Sequence, residues 1–196
     1  TYDLTGDYGV KDHRVLINAS DELVDNYEDE GDLRKQFYLV PEYGYTPVCY
    51  LAVNKCMFLG ESIPSDDKFM LALRLSEAYL ILAEATAKTD PMIALNAVNE
   101  LRKKRISEEK YKDKSGLSGD ELLEFVRNER RRELCFEGHR WFDLRRYGMP
   151  SFTRVWKEGG VPAKWFTMEK EDAAYTLPIS KEVMDRNPGL IQNRLG

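Results

Sequence analysis

Val126-Arg-Asn-Glu-Arg-Arg-Arg-Glu-Leu-Cys-Phe-Glu-Gly-His-Arg-Trp-Phe-Asp-Leu-Arg-Arg-Tyr-Gly148 is the stretch that decides the fold, and it holds seven of the chain's fifteen arginines. At 100° per residue, Leu122, Val126, Glu129, Glu133 and Phe136 fall on one stripe of a helix. Two carboxylates therefore stand where a packed helix is apolar. A charge on such a stripe is costly unless it is paired. The expected solution is a structural ion network of Glu129, Arg130, Glu133 and Glu137, extended by Arg140 and Asp143 and by Arg74 and Glu77 from another helix. Arg130 is the member of its triplet best placed to pair, with Arg131 and Arg132 left for solvent.

Working outward, a helix is predicted from about Asp120 to Glu137. Gly138 stands where a helix C-terminus favours a left-handed residue. A short helix follows from His139 or Arg140 to Tyr147, stopped by Gly148 and Pro150. Upstream, Phe69 to Ala87 reads as a long helix apolar on two sides. One stripe is Phe69, Leu73, Leu80 and Ala87; the other is Leu71, Leu75, Ala78, Leu82 and Ala85. A helix apolar on two sides is expected to pack on two sides. Asp90-Pro91 opens a second helix to about Arg105, with Ala94, Val98 and Leu101 inward. These helical hairpins are tetratricopeptide-like in arrangement, without that repeat's consensus residues.

The character of the chain changes near Asp66. Residues 1–65 read as a loop and β-hairpin segment, and 66–196 as a helical-hairpin scaffold. Within the first, Arg14-Val-Leu-Ile-Asn18 and Phe37-Tyr-Leu-Val40 are strand candidates. Ser20 is an N-cap for a helix from Asp21 to about Glu30. Tyr43 to Leu59, punctuated by Gly44, Pro47 and Asn54, suggests a small β-hairpin. Residues 149–174 read as a long loop. Tyr175-Thr-Leu-Pro-Ile179 is strand-like, and Ser180 caps a last helical turn. The expected class is mainly α: helical hairpins with irregular loops and a small β-hairpin.

Hydrophobic residues at 42% and charged residues at 32% place the chain among folded proteins rather than disordered ones. A net charge of -5 gives no overall attraction to nucleic acid. Arg130-Arg-Arg132 fans around a helix with acids interleaved, which is not a phosphate-binding face. Three cysteines do not make a disulfide framework. Cys135 reads as a core thiol. His13 and His139 lack partners at metal-ligand spacing, so no metal and no cofactor are expected. Glu129, Glu133 and Glu137 share a face, as paired acids of a glycosidase might. Such pairs normally face each other across a cleft, however, and the neighbouring arginines would lower carboxyl pKa values. No catalytic residue is expected.

Aromatic residues are the remaining candidates for ligand contact. Tyr43, Tyr45, Tyr50, Trp156, Trp165 and Phe166 lie in predicted loops or edge strands, where a flat ring can stack on a sugar or peptide. For any single one of them, the favoured reading is that it pins its own loop to the helical core.

Four segments, in order, give the chain a family likeness. They are Leu73-Arg-Leu-Ser-Glu-Ala-Tyr-Leu-Ile-Leu-Ala-Glu-Ala85, Ala94-Leu-Asn-Ala-Val-Asn-Glu-Leu-Arg102, the stretch Asn128 to Gly148, and Tyr175-Thr-Leu-Pro-Ile-Ser180 with Asn187-Pro-Gly-Leu-Ile-Gln-Asn193. Together they resemble the SusD/RagB family of surface nutrient-binding lipoproteins of Bacteroidetes. The weaker Asp32-Leu-Arg34 fits the same pattern, while Ser180 and the closing Arg194-Leu-Gly196 depart from it. The resemblance implies the C-terminal part of a longer protein, lipid-anchored to the outer membrane at the cell surface. It also implies capture of an oligosaccharide, or in some members a peptide, for import through a SusC-like TonB-dependent transporter. The signature arginines and glutamates would be scaffold residues. The alternative is a helical-repeat scaffold for binding protein or peptide.

Overall fold

The computed structural model describes residues 19–27, 31–42, 49–51, 74–158 and 161–193. In chain order they form α1 (Asp21–Asp25), α2 (Leu33–Tyr38), β1 (Val40–Glu42), β2 (Cys49–Leu51), α3 (Leu75–Thr86), α4 (Pro91–Arg102), α5 (Gly119–Glu133), α6 (His139–Arg146), β3 (Phe152–Glu158), β4 (Val161–Met168), a 3-10 turn (Ala173–Tyr175) and α7 (Lys181–Arg186). The class is mainly α, as the periodicity predicts. Two compact units divide the chain, Thr1–Glu137 and Gly138–Gly196. The composition change near Asp66, the strand candidate Arg14–Asn18, and His13 lie outside the described residues.

In the first unit α3, α4 and α5 pack together. Asp90 caps α4 by accepting a hydrogen bond from the Ile93 amide at 3.2 Å, with Pro91 at the first helical position. Ala83, Ala87, Ala94, Ala97, Val98, Leu122 and Val126 form the shared core. Four alanines there let the helix backbones approach closely. Leu80, Leu101 and Leu134 make a second cluster. Ala19, Leu23, Val24, Tyr27, Leu39 and Cys135 make a third, with Tyr38 and Phe136 against it.

Several sequence expectations change here. The first turns of the predicted Phe69–Ala87 helix lie outside the described residues, and Arg74 is already extended backbone before α3. Only one of its two apolar stripes is covered. Ser76, Leu80, Ala83 and Ala87 are buried, whereas Leu75 is 74% exposed and Leu82 46%. Ala78 and Ala85 are exposed too. The covered core runs along the other side of the helix, through Ala83 and Ala87. Phe37-Tyr38, expected in a strand, ends α2. The Asp32 side chain accepts from the Arg34 amide and so fixes that helix's start, and the chain turns extended only at Leu39. β1 then pairs antiparallel with β2, Pro41 opposite Tyr50. Helix α1 ends at Asp25, short of Glu30.

Helix α5 stops at Glu133 rather than Glu137. The last carbonyls of a helix lack partners along the chain, and here side chains take two of them. The Tyr27 hydroxyl donates to the Arg132 carbonyl at 2.9 Å, and the Arg74 guanidinium to the Glu133 carbonyl at 3.1 Å. A cation at a helix C-terminus is favoured by the dipole as well. With those acceptors engaged, Phe136 turns left-handed (φ 63°) and packs against the Tyr27 cluster.

In the second unit, the predicted loop 149–174 is instead mostly a β-hairpin. β3 and β4 pair antiparallel, with Phe152 opposite Met168, Arg154 opposite Phe166, Val155 opposite Trp165 and Trp156 opposite Lys164, and a bulge after Trp156. Apolar and aromatic residues occur on both faces, so the sequence shows no alternation to mark a strand. The run is nonetheless rich in β-branched and aromatic residues and interrupted at Gly159-Gly160, which is a hairpin signal. Tyr175, expected in a strand, ends the 3-10 turn and is fully buried. Its ring stacks on Trp141 at 5.2 Å and meets Phe152 edge-on at 6.2 Å, and its hydroxyl donates to the Pro150 carbonyl. Ser180 caps α7 through the Val183 amide. The Gln192 side chain pairs with both backbone groups of Ile179, and Asn193 donates to the Leu177 carbonyl.

Candidate functional site

Two places carry enough chemistry to be considered: the arginine–glutamate cluster of the first unit and the aromatic hairpin of the second. The cluster centres on Glu129 and Glu133, both fully buried. One Glu129 oxygen accepts from Arg34 at 2.6 Å; the other accepts from Arg102 at 3.1 Å and from Arg132 at 2.8 and 3.3 Å. Glu133 is held by a two-point contact from Arg105 at 2.9 and 3.0 Å, and by Arg34 and Arg74 at 3.3 Å each. Arg74 also grips Glu137 with both arms of its fork, at 2.8 and 3.1 Å. Arg34 grips Asp32 in the same way, at 2.7 and 2.9 Å. Four carboxylates and five guanidiniums thus share one network.

The electrostatics fit a structural role. Burial opposes ionisation of Glu129, but Arg34, Arg132 and Arg102 outweigh it and hold the carboxyl down at about 2. At Glu133 burial is likewise outweighed, by Arg105 first and then Arg34 and Arg74, and the carboxyl lies below its usual range. Burial works against the charge on Arg34, yet Glu129, Asp32 and Glu133 raise its pKa well above the ordinary value. Two carboxyls held ionised cannot act as a general acid at neutral pH. Of the residues the sequence pointed to, Glu129, Glu133, Glu137 and Arg74 meet in this network. Arg130 pairs with Glu77 at 3.3 Å. Arg132, expected in solvent, is only 1% exposed. It lies one turn after Glu129, so its fork folds back onto that carboxylate. Arg131 reaches Glu22 at 2.7 Å. Arg140 and Asp143 belong to the other unit, where Asp143 is buried and pairs with Arg146 at 3.0 Å. Sequence reasoning missed Asp32, Arg34, Arg102 and Arg105. Their signal is faint: an N-cap two residues before an arginine, and arginines at the end of α4.

Cys135 is buried, with its sulfur 3.5 Å from the Tyr27 hydroxyl. Burial first, and then the thiol, push that hydroxyl's pKa far up, so the pair is a packing contact rather than a nucleophile with its base. His139 opens α6, partly exposed. Among the described residues no group of three or more His, Cys, Asp or Glu could hold a metal ion, and no helix is long and apolar enough to cross a membrane.

The hairpin is the opposite kind of surface. Trp156 is 58% exposed, Trp165 64% and Phe166 60%. Residues directly opposite on antiparallel strands share a face. Val155 and Trp165, with the hydrogen-bonded threonines Thr153 and Thr167 (2.8 Å), form one face. Arg154, Trp156, Lys164 and Phe166 form the other, so the two tryptophans point to opposite sides. The hairpin base is fixed by Phe152 against Tyr175 and by Ser151 donating to the Met168 carbonyl at 2.9 Å. Rings held on a paired backbone lose little freedom when a flat ligand stacks on them. Tyr50 lies in β2; Tyr43 and Tyr45 are outside the described residues.

The SusD family model matches residues 20–195. A SusD-like protein of Formosa agariphila is 29% identical over 141 residues, which span 65% of this chain and 27% of that protein. A SusD-like carbohydrate-binding protein of Bacteroides vulgatus superposes with a TM-score of 0.60 at 20% identity, over 92% of this chain and 42% of that one. A SusD superfamily protein of Parabacteroides distasonis superposes with a TM-score of 0.60 at 19% identity, over 90% and 41%. The chain therefore spans between about a quarter and two-fifths of the length of these relatives.

Proposed function

The chain belongs to the SusD family, and from that premise we propose that it is part of a cell-surface protein that binds nutrient oligosaccharide without chemically changing it. The exposed aromatic hairpin, Trp156, Trp165 and Phe166 on a paired β-scaffold, is the observation that carries this reading. Pyranose rings present an apolar C–H face that an indole or phenyl ring can cover, and a paired two-stranded scaffold holds such rings out to solvent. The naming of a structural neighbour as a carbohydrate-binding protein supports the ligand class. The depressed carboxyl pKa values of Glu129 and Glu133 support binding without catalysis. Family membership also motivates the rest of the proposal: a lipid anchor on the longer protein, an outer-membrane location, and delivery to a SusC-like TonB-dependent transporter.

Electrophoresis through native gels containing different polysaccharides tests the binding. Retardation in at least one gel is expected, and equal mobility in all of them contradicts the proposal. New reducing ends appearing with time on incubation with a retarding glycan would contradict the absence of chemistry. The competing reading, a helical scaffold that docks protein or peptide, draws on the exposed Leu75, Ile81, Leu82, Met92 and Ile93 of α3 and α4. It predicts no retardation by any glycan.

A further inference from the structure

From the register of β3 against β4, we propose that the ligand lies on the Thr153, Val155, Trp165 and Thr167 side of the hairpin and is a neutral glycan, held through its C–H faces and its hydroxyl groups; this rests on the glycan-binding reading above. The cross-strand pairs Thr153–Thr167 and Val155–Trp165 are consecutive rows on that side. All four residues are exposed, and none carries a charge. Same-face rows along a strand lie about 7 Å apart, and directly opposed side chains about 5 Å. An oligosaccharide running along the strands therefore meets two unlike surfaces in turn, an apolar row and a row of hydroxyls.

In the apolar row Val155 stands directly across from Trp165, which is 64% exposed. A β-branched side chain is stiff about its first torsion and packs beside a ring on a pleated surface. Valine and indole thus make one apolar step on which the C–H face of a pyranose can rest. The second row is polar without being charged. The Thr153 and Thr167 hydroxyls share a hydrogen bond of 2.8 Å. Each hydroxyl has one hydrogen and two lone pairs, and the shared bond uses a single hydrogen, so the pair still offers both a donor and acceptors. A sugar hydroxyl donates and accepts, and so matches both. A carboxylate or sulfate only accepts, and would set its charge against lone pairs with no hydrogen to share. The other side of the hairpin differs in kind: Trp156 and Phe166 stand across from Lys164 and Arg154. Covering those rings with a neutral sugar also draws water away from two cations, a cost absent from the Trp165 side.

The test is isothermal titration of the chain with a neutral galactan, xylan, mannan and β-glucan, and with polygalacturonate and a sulfated galactan. It is repeated with Trp165→Ala, Trp156→Ala and Thr153→Val/Thr167→Val, each checked for an unchanged circular dichroism spectrum. Wild type should bind a neutral polymer most tightly, with an affinity that changes less than about twofold as sodium chloride rises from about 50 to 300 mM. Trp165→Ala should weaken that binding about tenfold or more, and by more than Trp156→Ala does. The double threonine variant keeps side-chain shape and drops both hydroxyls, and should weaken it about threefold or more. Tightest binding of an acidic polymer, a Trp165→Ala loss no larger than that of Trp156→Ala, or wild-type affinity in the threonine variant overturns the assignment while leaving glycan binding standing. Binding of none of the six overturns both.

Discussion

Replacing Glu129 by Gln is the sharpest perturbation of the ion network. The amide matches the carboxylate in size, so packing is kept and the charge alone is lost. Four hydrogen bonds from Arg34, Arg102 and Arg132 end on this side chain. An amide accepts only at its oxygen, and its NH2 group then faces guanidinium donors. Removing one partner from a buried ion pair costs about 3–5 kcal/mol. The lowered pKa of the carboxyl points to a cost of the same order. Its pKa falls from 4.5 to about 2 on folding, and at about 1.4 kcal/mol per unit this is roughly 3 kcal/mol. Because the folded-state pKa is the lower one, this contribution is complete above pH 4.5 and lost as pH falls toward 2. Urea unfolding followed by far-ultraviolet ellipticity is the assay. Tryptophan emission is unsuitable, since Trp141, Trp156 and Trp165 all belong to the second unit. With a slope of about 2 kcal/mol per molar urea, the midpoint at pH 7 should drop by about 1.5 M. Below pH 4.5 the difference from wild type should narrow. A variant midpoint within about 0.3 M of wild type at pH 7, or a gap that stays constant down to pH 2, would show that Glu129 is not held by these arginines. Glu182→Gln, which removes an exposed ion pair to Arg186, serves as control and should cost about 1 kcal/mol or less.

Other consequences follow from the packing. Leu122→Ala, at the fully buried centre of the three-helix core, should lower unfolding free energy by about 2–4 kcal/mol in the same urea assay. Leu82→Gln changes a side chain that the sequence puts on a packing stripe and the structure leaves 46% exposed; its unfolding free energy should stay within about 0.5 kcal/mol of wild type. Gly138→Ala meets no neighbouring atom but must hold φ at +81°, so a loss of about 1 kcal/mol in thermal melts is expected from backbone strain alone. Tyr27→Phe removes the hydroxyl that caps the Arg132 carbonyl and should cost about 1–2 kcal/mol by the same measure.

What the sequence could and could not reveal divides along physical lines. Glu129 and Glu133 on a stripe with Leu122 and Val126 announce a buried network, because a helix's period places residues on faces whatever else is present. The partners Arg34, Arg102 and Arg105 come from other elements, and no period links 34, 102, 105 and 129. The end of α5 is not legible for the same reason: Tyr27 and Arg74 cap its carbonyls from far along the chain. In α3 the two apolar stripes were visible in sequence, but which one is covered depends on where α4 and α5 pack. The β3–β4 hairpin shows no alternation in sequence because rings and aliphatic residues occupy both of its faces. For the ligand-contact candidates, residue type was legible; the division of Trp156 and Trp165 between two faces needed the strand register.

The claim that the hairpin's rings meet the ligand can be tested most directly through the chain's three tryptophans. Trp156 and Trp165 are exposed, while Trp141 is stacked on Tyr175. The measurement is tryptophan emission during titration with an oligosaccharide from a glycan that retards the chain in gels, in wild type and in Trp156→Phe/Trp165→Phe. Saturable quenching or a blue shift is expected in wild type, with no change from Trp141 alone in the double variant. A saturable change that persists undiminished in the double variant, at unaltered affinity, would place the ligand elsewhere.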